Sequence, residues 1–271
     1  MNEAATPTPA PGQEVGSLAV DPGDGTLLIG SSAGAFRVPA GAAKAEKFAT
    51  TLTTPANGSG PLFDLILRAS GPHALLASGH PRGGTLPVNV GLVASSDAGK
   101  SWRPVSGLND ADYHDVEVQG SLVVALRNDD PNYVSVSTDG GAKFEQRAAP
   151  AVAAALDITI DPGDAKQWAV GTEQGTFLST NEGRSWRQRD TTSKARVAWA
   201  APDKLYSAGL DGKVRLSSDQ GKSWDEVGTI GAGPLDFVAG PDGALYAYLS
   251  GGKVVKSADG GSTWSPLASL R

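Results

Sequence analysis

SSDQGKSW, residues 217–224, is one of five octets that share a single pattern in this 271-residue chain. Each octet has Ser first, Asp or Asn third, Gly fifth, and Trp or Phe last. The third and last residues of the five copies are Asp97 and Trp102, Asp139 and Phe144, Asn181 and Trp186, Asp219 and Trp224, and Asp259 and Trp264. Successive copies lie 38 to 42 residues apart. A period of this length is typical of repeat architectures.

The residue types of the octet predict a tight turn. Short Asp and Asn side chains accept hydrogen bonds from backbone N–H groups close ahead in the chain, and Gly adopts the positive φ that a sharp reversal requires. The terminal aromatic residue would pack between neighbouring sheets, burying ~150–250 Å². Because each carboxylate is used by its own turn, we interpret the octets as structural and not as metal or catalytic sites.

Strand signals surround every octet. An alternating run ends at the octet's Ser, two apolar runs lie upstream, and a short stretch follows the aromatic residue, which makes four strands per repeat. A sixth copy without its octet begins with SLAVDPGD at 17–24, which parallels DITIDPGD at 157–164. The sequence therefore predicts an all-β, six-bladed β-propeller of four-stranded antiparallel blades, with octets between third and fourth strands. We expect one domain over residues 14–271 after a disordered tether at 1–13, and ring closure without exchange of strands between the termini.

Composition excludes several function classes. With 35 Gly and 18 Pro a helical fold is unfavourable, and with no Cys there are no disulfides, thiolate metal sites or cysteine nucleophiles. The net charge of −6 and the scattered Lys and Arg argue against nucleic acid as a partner. No apolar run is long enough to cross a bilayer. We expect a monomer with no cofactor and no metal.

The N-terminal NEAATPTPAPGQ, residues 2–13, has the composition of an extended solvated tether. Such a stretch often follows a removed export signal or lipid anchor. This predicts an exported, periplasmic or cell-surface protein, with a lipoprotein lacking its anchor as one form of it. The alternative is the disordered terminus of a cytosolic protein.

Two segments interrupt the repeat, a connection at 50–61 and a loop at 78–90. Both map to the face opposite the octets, where departures from a rigid repeat often build binding sites. Tolerated surface insertions are the alternative. The ligand-binding candidates on this face are His80, Arg82, Tyr113, His114, Arg127, Asp129 and Tyr133. Asp110, Asp112 and His114 lack the order of a calcium loop, so we interpret them as solvated loop residues.

Alignment of the innermost strands places acidic residues in one column near the mouth of the central channel. The column consists of Ser17, Asp64, Asp115, Asp157, Val197 and Asp236. These carboxylates could hold a cation or a basic group, or act in catalysis. Alternatively, each Asp accepts from backbone N–H groups of the adjacent blade and so links the ring.

The octet resembles the Asp box, or bacterial neuraminidase repeat. Over residues 14–270 the chain is similar to Asp-box propellers, which include sialidases, the sortilin ectodomain, xyloglucan-cleaving glycoside hydrolases and the photosystem II assembly factor. Its openings LAVDPGDGTLLIG and ITIDPGDAKQWAVGT are most similar to sialidase-like and assembly-factor-like exported bacterial proteins. The resemblance implies the fold and leaves the activity open, because these relatives share scaffold and not chemistry.

FRVP at 36–39 resembles the sialidase motif that carries an arginine for the substrate carboxylate. Here it aligns with a third strand instead of an innermost one, and no arginine triad can be assembled on one face. The sequence therefore favours a non-catalytic protein that binds a protein or glycan partner through the loops. The alternative is a glycoside hydrolase, sialidase-like or xyloglucanase-like, that uses Asp64, Asp115, Asp157 or Asp236. An assembly factor for a membrane complex would need a basic patch, which is not evident.

Overall fold

The computed structural model describes residues 16–54, 58–150 and 154–270. Within these ranges the chain forms 25 strands in six antiparallel sheets and no helix. The sheets are arranged as a six-bladed β-propeller, which confirms the predicted fold class. No helix that could span a membrane occurs in the described part of the chain. The predicted tether at 1–13 lies outside the described residues.

Each blade is built from consecutive strands. Blade 1 contains β1 (Gly16–Val20), β2 (Leu27–Ser31), β3 (Gly34–Val38) and β4 (Glu46–Phe48). Blade 2 contains β5 (Thr51–Thr54), β6 (Gly58–Gly71), β7 (Ala74–Pro81), β8 (Leu92–Ser95) and β9 (Arg103–Ser106). Blade 3 contains β10 (Tyr113–Gln119), β11 (Leu122–Arg127), β12 (Tyr133–Ser137) and β13 (Glu145–Ala148).

The second half of the ring follows the same plan. Blade 4 contains β14 (Ala155–Asp161), β15 (Asp164–Thr172), β16 (Gly175–Ser179) and β17 (Arg187–Asp190). Blade 5 contains β18 (Arg196–Ala201), β19 (Lys204–Ala208), β20 (Lys213–Ser217) and β21 (Asp225–Thr229). Blade 6 contains β22 (Asp236–Ala239), β23 (Leu245–Leu249), β24 (Lys253–Ser257) and β25 (Ser265–Ser269).

The antiparallel order gives the ring two different faces. In a four-stranded blade the first and third turns lie at one end, and the second turn and the link to the next blade lie at the other. We call these ends the turn face and the loop face. Each of the five octets connects the last two strands of its blade. All five therefore lie on the turn face, as the sequence predicts.

The octet after β8 shows how the turn is held. Ser95 Oγ donates to Asp97 Oδ1 at 2.8 Å, and Gly99 N donates to Ser95 Oγ at 2.9 Å. Ser101 N then donates to Asp97 Oδ1 at 2.9 Å, while Gly99 adopts a φ of 82°. Hydrogen bonds from the Ser101 hydroxyl and amide lower the pKa of Asp97 to about 2. The predicted use of the Asp by its own turn is confirmed here.

The octet aromatics pack less deeply than the sequence predicts. Trp102 is buried at 5% exposure, whereas the other four are only partly buried. Three of those four stack against an aromatic residue of an inner strand, with ring centroids 5.4–6.4 Å apart, in the pairs Phe144 with Tyr113, Trp186 with Trp168, and Trp264 with Phe237. Trp168, on a second strand, is the largest of the completely buried side chains among the described residues.

The ring closes between blades 6 and 1 through side chains. Leu18, Val20 and Ile29 of blade 1 share a buried apolar cluster with Tyr246 and Tyr248 of blade 6. All strands of blade 1 come from the N-terminal part of the described chain, and all strands of blade 6 from the C-terminal part. Closure without strand exchange, as the sequence predicts, is confirmed.

Blade 2 departs from the prediction in one respect. Residues 51–54 and 58–61, expected as a loop, form a hairpin of β5 with the first part of β6, so this sheet has five strands. Residues 78–81, also expected in a loop, continue β7 opposite β6. The alternation of TLTT at 51–54, with two side chains buried and two exposed, is the strand signal that explains this correction.

Candidate functional site

A cluster of two histidines and an aspartate lies on the loop face between blades 2 and 3. His80 Nε2 lies 3.4 Å from Asp112 Oδ1, and His114 Nε2 lies 3.1 Å from Asp112 Oδ2. The three ligand-type atoms lie within 4.8 Å of one another. We call this group the His–Asp–His cluster. Its donor set, imidazole and carboxylate, suits a divalent transition metal or a polar ligand group.

Ordered backbone positions each member of the cluster. His80 lies near the end of β7, where it pairs with Phe63 of the neighbouring strand β6. Asp112 precedes β10, and its carbonyl oxygen accepts a hydrogen bond from Asn128 N at 3.1 Å. His114 is the second residue of β10. Because Asp112 and His114 are two residues apart along an extended segment, their side chains leave on the same side.

The electrostatics of the cluster are coupled. Burial by itself would raise the pKa of Asp112, but hydrogen bonds and charge from His114 and His80 outweigh it and hold that pKa well below its usual range. The contact with Asp112 raises the pKa of His80, although burial of the ring opposes this, and the Val88 carbonyl adds to the rise. Asp112 is therefore charged at neutral pH and His80 is favoured as a cation.

Arg82 lies beside the cluster and is held by blade 2. Its Nη2 lies 3.2 Å from Asp64 Oδ2, and its guanidinium lies 4.9 Å from the centroid of the Phe63 ring. The Arg82 side chain is 44% exposed, whereas Asp64 is buried. A partner on the loop face could therefore reach the guanidinium, which is oriented by a buried carboxylate.

The remaining candidates of blade 3 divide into exposed and buried groups. Arg127 forms an ion pair with Asp129 and its Nη2 donates to the Asp110 carbonyl at 3.4 Å. Tyr133 is exposed at 42%. Tyr113 instead is buried at 3%, and burial raises its pKa to about 12. The structure therefore places Tyr113 in the core and not on the surface of the loop face.

Exposed apolar side chains also lie on the loop face. Among the described residues the exposed large hydrophobic side chains are Val88, Tyr133 and Leu210. Each belongs to a connection between the second and third strands of a blade, or to the first residue after it. None lies on the turn face. Val88 and Tyr133 lie on the neighbouring blades 2 and 3, whereas Leu210 lies on blade 5.

The channel column differs from the predicted one at two of six positions. Backbone register and inter-blade hydrogen bonds place Ile66, and not Asp64, at the column position of blade 2. The reason is a bulge at Asp64, which has a φ of 50° and shifts the register of β6. Ile158 N, one residue after the column position Asp157, donates to Asp115 of the preceding blade. Val197 N donates to Asp157 in the same way, so the column position of blade 5 is the residue before it, Arg196, and not Val197. The column is therefore less acidic than the sequence indicates.

Three of the channel aspartates connect neighbouring blades. Ile158 N donates to Asp115 Oδ2 at 2.7 Å, Val197 N donates to Asp157 Oδ2 at 2.8 Å, and Leu18 N donates to Asp236 Oδ2 at 2.6 Å. Ser17 has the same role in blade 1, where its Oγ accepts from Leu67 N at 3.1 Å. This geometry favours the second sequence interpretation, in which the acidic residues link the ring.

Arg68 of β6 supplies the basic group to this ring. Its Nη2 donates to Asp115 Oδ1 at 2.8 Å, and its Nε lies 3.2 Å from Glu117 Oε2. Burial would lower the pKa of Arg68, but Asp115, Glu117, Asp236 and Asp157 together raise it well above its usual value. The channel carboxylates therefore already hold a cation that the chain itself provides.

Two carboxyl groups in the channel have raised pKa values, those of Glu117 and Asp157. Burial raises the pKa of Glu117 to about 7, although Arg68 partly opposes the rise. Burial and repulsion from Asp115 and Asp236 raise the pKa of Asp157 well above its usual value. Glu117 is therefore partly protonated near neutral pH.

Sequence reasoning missed Arg68, Glu117 and Arg196. The column alignment considered only one position per innermost strand, and these three residues lie one or more positions away from it. Arg68 is a charged residue in a strand rich in apolar residues, and Glu117 lies between two valines. That unusual placement was the available signal.

A second His–Asp group lies on the turn face, between blades 1 and 2. His73 Nδ1 lies 2.8 Å from Asp21 Oδ2, with Asp24 nearby. Asp21 Oδ1 already accepts from His73 N at 2.9 Å and from Gly23 N at 2.7 Å. These bonds connect the first turns of two blades, so the arrangement is explained by the fold.

No protein-family model and no curated protein matches the chain. Solved structures do. A YCF48 protein bound to D1 peptide has a TM-score of 0.50 at 16% identity, with 80% of this chain and 71% of that chain covered. A nidogen/laminin complex has a TM-score of 0.61 at 10% identity, with 85% and 88% covered. An ancestral GH74 enzyme has a TM-score of 0.57 at 14% identity, with 94% and 38% covered.

These likenesses establish the class of fold and nothing finer. Every identity lies far below the level at which function can be transferred, and β-propellers serve both binding and catalysis. The chain spans well under half of the GH74 chain that it matches. The molecule is thus a six-bladed β-propeller whose structural neighbours include protein-binding propellers and glycoside hydrolases.

Proposed function

We propose that the protein is a non-catalytic propeller that binds a polypeptide partner through the loop face of blades 2 and 3. The observation that carries the proposal is the coincidence of two features on one face. The exposed apolar side chains Val88 and Tyr133 lie there, and so do the His–Asp–His cluster and Arg82. Apolar contacts supply affinity and oriented polar groups supply specificity.

The turn face is a weaker candidate. Its most regular polar groups, the octet aspartates, accept hydrogen bonds from their own turns. On the loop face, by contrast, His114 is 41% exposed and Arg82 is 44% exposed. Those groups keep surface available to a partner.

The structural neighbours support a polypeptide over a glycan by analogy. One is a YCF48 bound to D1 peptide and another is a nidogen/laminin complex. A glycan partner is the second form of the same proposal. The similarity of the octets to Asp boxes and the composition of residues 2–13 support an exported protein. We propose that it is a monomer.

The test compares two matched double variants. His80→Ala with Arg82→Ala removes a histidine and an arginine from the loop face, and His73→Ala with Arg184→Ala removes the same pair from the turn face. Partners captured from an envelope extract, and hits from a glycan array, are identified and their affinities measured with purified components. We expect the loop-face variant to weaken binding at least about tenfold and the turn-face variant to leave it unchanged. Equal affinity for both variants would contradict the proposal.

A glycoside hydrolase is the alternative, and one observation favours it. The raised pKa values of Glu117 and Asp157 are the kind that a general acid needs. Against it, Asp115 and Asp157 are engaged by backbone amides and Arg68. Turnover of sialyl, xyloglucan or aryl glycosides that is lost in a folded Asp115→Asn variant would establish the hydrolase and overturn the binding proposal.

A further inference from the structure

We propose that the His–Asp–His cluster binds one divalent transition-metal ion, with Zn²⁺ as the fitting example, through His80 Nε2, the Asp112 carboxylate and His114 Nε2. The inference does not depend on the proposed function, because it concerns the ion alone. The sequence predicts no metal, since Asp110, Asp112 and His114 lack the order of a calcium loop. The fold adds the third ligand from another blade.

The tautomer of His80 is the first argument. His80 Nδ1 lies 3.1 Å from the Val88 carbonyl oxygen, which can only accept, so Nδ1 carries the hydrogen. In the neutral ring, Nε2 then presents its lone pair to Asp112 Oδ1 at 3.4 Å. Either a proton on Nε2 or a metal ion satisfies these two facing acceptors, so a metal ion that binds here displaces only that proton. A backbone carbonyl that holds the far nitrogen of a histidine is also the usual support of a metal ligand.

The spacing is the second argument. Ligands at about 2.0–2.2 Å from a tetrahedral Zn²⁺ lie about 3.4 Å apart. The two histidine nitrogens lie 3.4 and 3.1 Å from the Asp112 oxygens. These are the two different oxygens of Asp112, so a site with one carboxylate oxygen must draw its three ligand atoms together from within 4.8 Å of one another. The His114 side chain is 41% exposed and can rotate to do so.

The third argument is rigidity and charge. His80 and His114 lie on strands of two neighbouring blades, so the ion would bridge blades 2 and 3. Asp64, which follows Phe63 opposite His80, leaves its buried Oδ1 without a hydrogen-bond partner among the described residues. Its other oxygen pairs with Arg82, so the nearby guanidinium is compensated. The surroundings therefore favour a cation.

The donor set also predicts selectivity. Two imidazoles and one carboxylate suit Zn²⁺ and Co²⁺, whereas Ca²⁺ and Mg²⁺ prefer oxygen ligands in larger number. Three protein ligands on an exposed face leave the fourth tetrahedral position to water. The site would therefore have an open coordination position on the surface that faces solvent.

The experiment titrates the purified metal-free chain with Zn²⁺ by calorimetry and with Co²⁺ by visible absorption. We expect one ion per chain, a Co²⁺ spectrum of tetrahedral type, a higher Tm with Zn²⁺, and no response to Ca²⁺ or Mg²⁺. His114→Ala and Asp112→Asn should each weaken Zn²⁺ binding at least about tenfold. Circular dichroism verifies that both variants fold.

His73→Ala is the matched control, because it removes the histidine of the other His–Asp group and should leave Zn²⁺ affinity unchanged. The proposal is overturned if the wild-type chain binds no Zn²⁺, or if His114→Ala and Asp112→Asn bind it as the wild type does. It is also overturned if His73→Ala weakens binding as much as they do, since the binding would then be adventitious. The wild-type Co²⁺ spectrum decides the matter even where a variant fails to fold.

Discussion

At the scale of single residues, the charge inside the channel controls how stability depends on pH. The pKa of Glu117 is raised from the ordinary 4.5 to about 7, chiefly by burial, so the folded chain binds more protons than the unfolded chain between those values. The free energy of unfolding therefore falls as pH rises from about 4.5 to about 7 and then levels off. The raised pKa of Asp157 acts in the same direction.

The Glu117→Gln substitution tests this residue. We expect the variant to be more stable than the wild type by about 1–3 kcal/mol at pH 8, with little difference at pH 4, because the amide mimics the protonated acid. Urea unfolding at both pH values measures it. Glu173→Gln, at an exposed turn position, should keep the wild-type profile. A Glu117→Gln variant that is less stable than the wild type at pH 8 would show that the ion pair with Arg68 outweighs burial.

At the scale of the element, the octet turn is a self-contained unit of hydrogen bonds. Asn181 occupies the position of Asp97 in its own turn, where its Oδ1 accepts from Ser185 N at 2.9 Å. We therefore expect Asp97→Asn to fold with nearly wild-type stability, and Asp97→Ala to lose about 1 kcal/mol for the bonds to Ser101. Urea unfolding at pH 7 compares the two. Equal losses would mean that the side-chain oxygen is not what holds the turn.

The same turn predicts a loss of stability in acid. Hydrogen bonds lower the pKa of Asp97 to about 2 from 3.8, so its contribution is complete above pH 3.8 and disappears as pH falls toward 2. Asp97→Asn should remove that part of the acid dependence, because an amide does not titrate in this range. Thermal unfolding between pH 2 and pH 5 would reveal it. An unchanged acid profile in the variant would contradict the assignment.

The structural elements also differ in how well the sequence predicts them. The octets are strongly determined by their own residues, and their position between third and fourth strands was predictable for that reason. The β5–β6 hairpin was not, since Thr, Asn and Gly in 50–61 look like a loop until the pairing partner is known. A bulge at Asp64 shifted the column by two residues, which no repeat spacing reveals.

The candidate sites were predictable only in part, because their members come from different blades. His80 and His114 were both identified as candidates, but their convergence on Asp112 depends on how blades 2 and 3 are placed side by side. Arg68 meets carboxylates from a neighbouring innermost strand, so its role depends on the geometry of the ring. Local residue patterns carry no information about such contacts.

At the scale of the whole molecule, the ring depends on a closure in which the described residues share no strand between blades 6 and 1. Leu18 N donates to Asp236 across this closure, and Ile158 N donates to Asp115 across the interface of blades 3 and 4. Leu18 and Ile158 are both almost completely buried. The two positions are therefore structurally equivalent, and one lies at the junction of the chain ends while the other lies inside the chain.

This equivalence makes the strength of the closure measurable. We expect Leu18→Ala and Ile158→Ala each to cost about 2–5 kcal/mol, because each leaves a cavity between blades. Both variants should unfold in one transition with the urea m value of the wild type, since a closed ring loses its blades together. If Leu18→Ala alone showed an early transition or a reduced m value, the junction of blades 6 and 1 would open independently. Such an outcome would mean that the closure is weaker than the other interfaces and that the ring is not one cooperative unit.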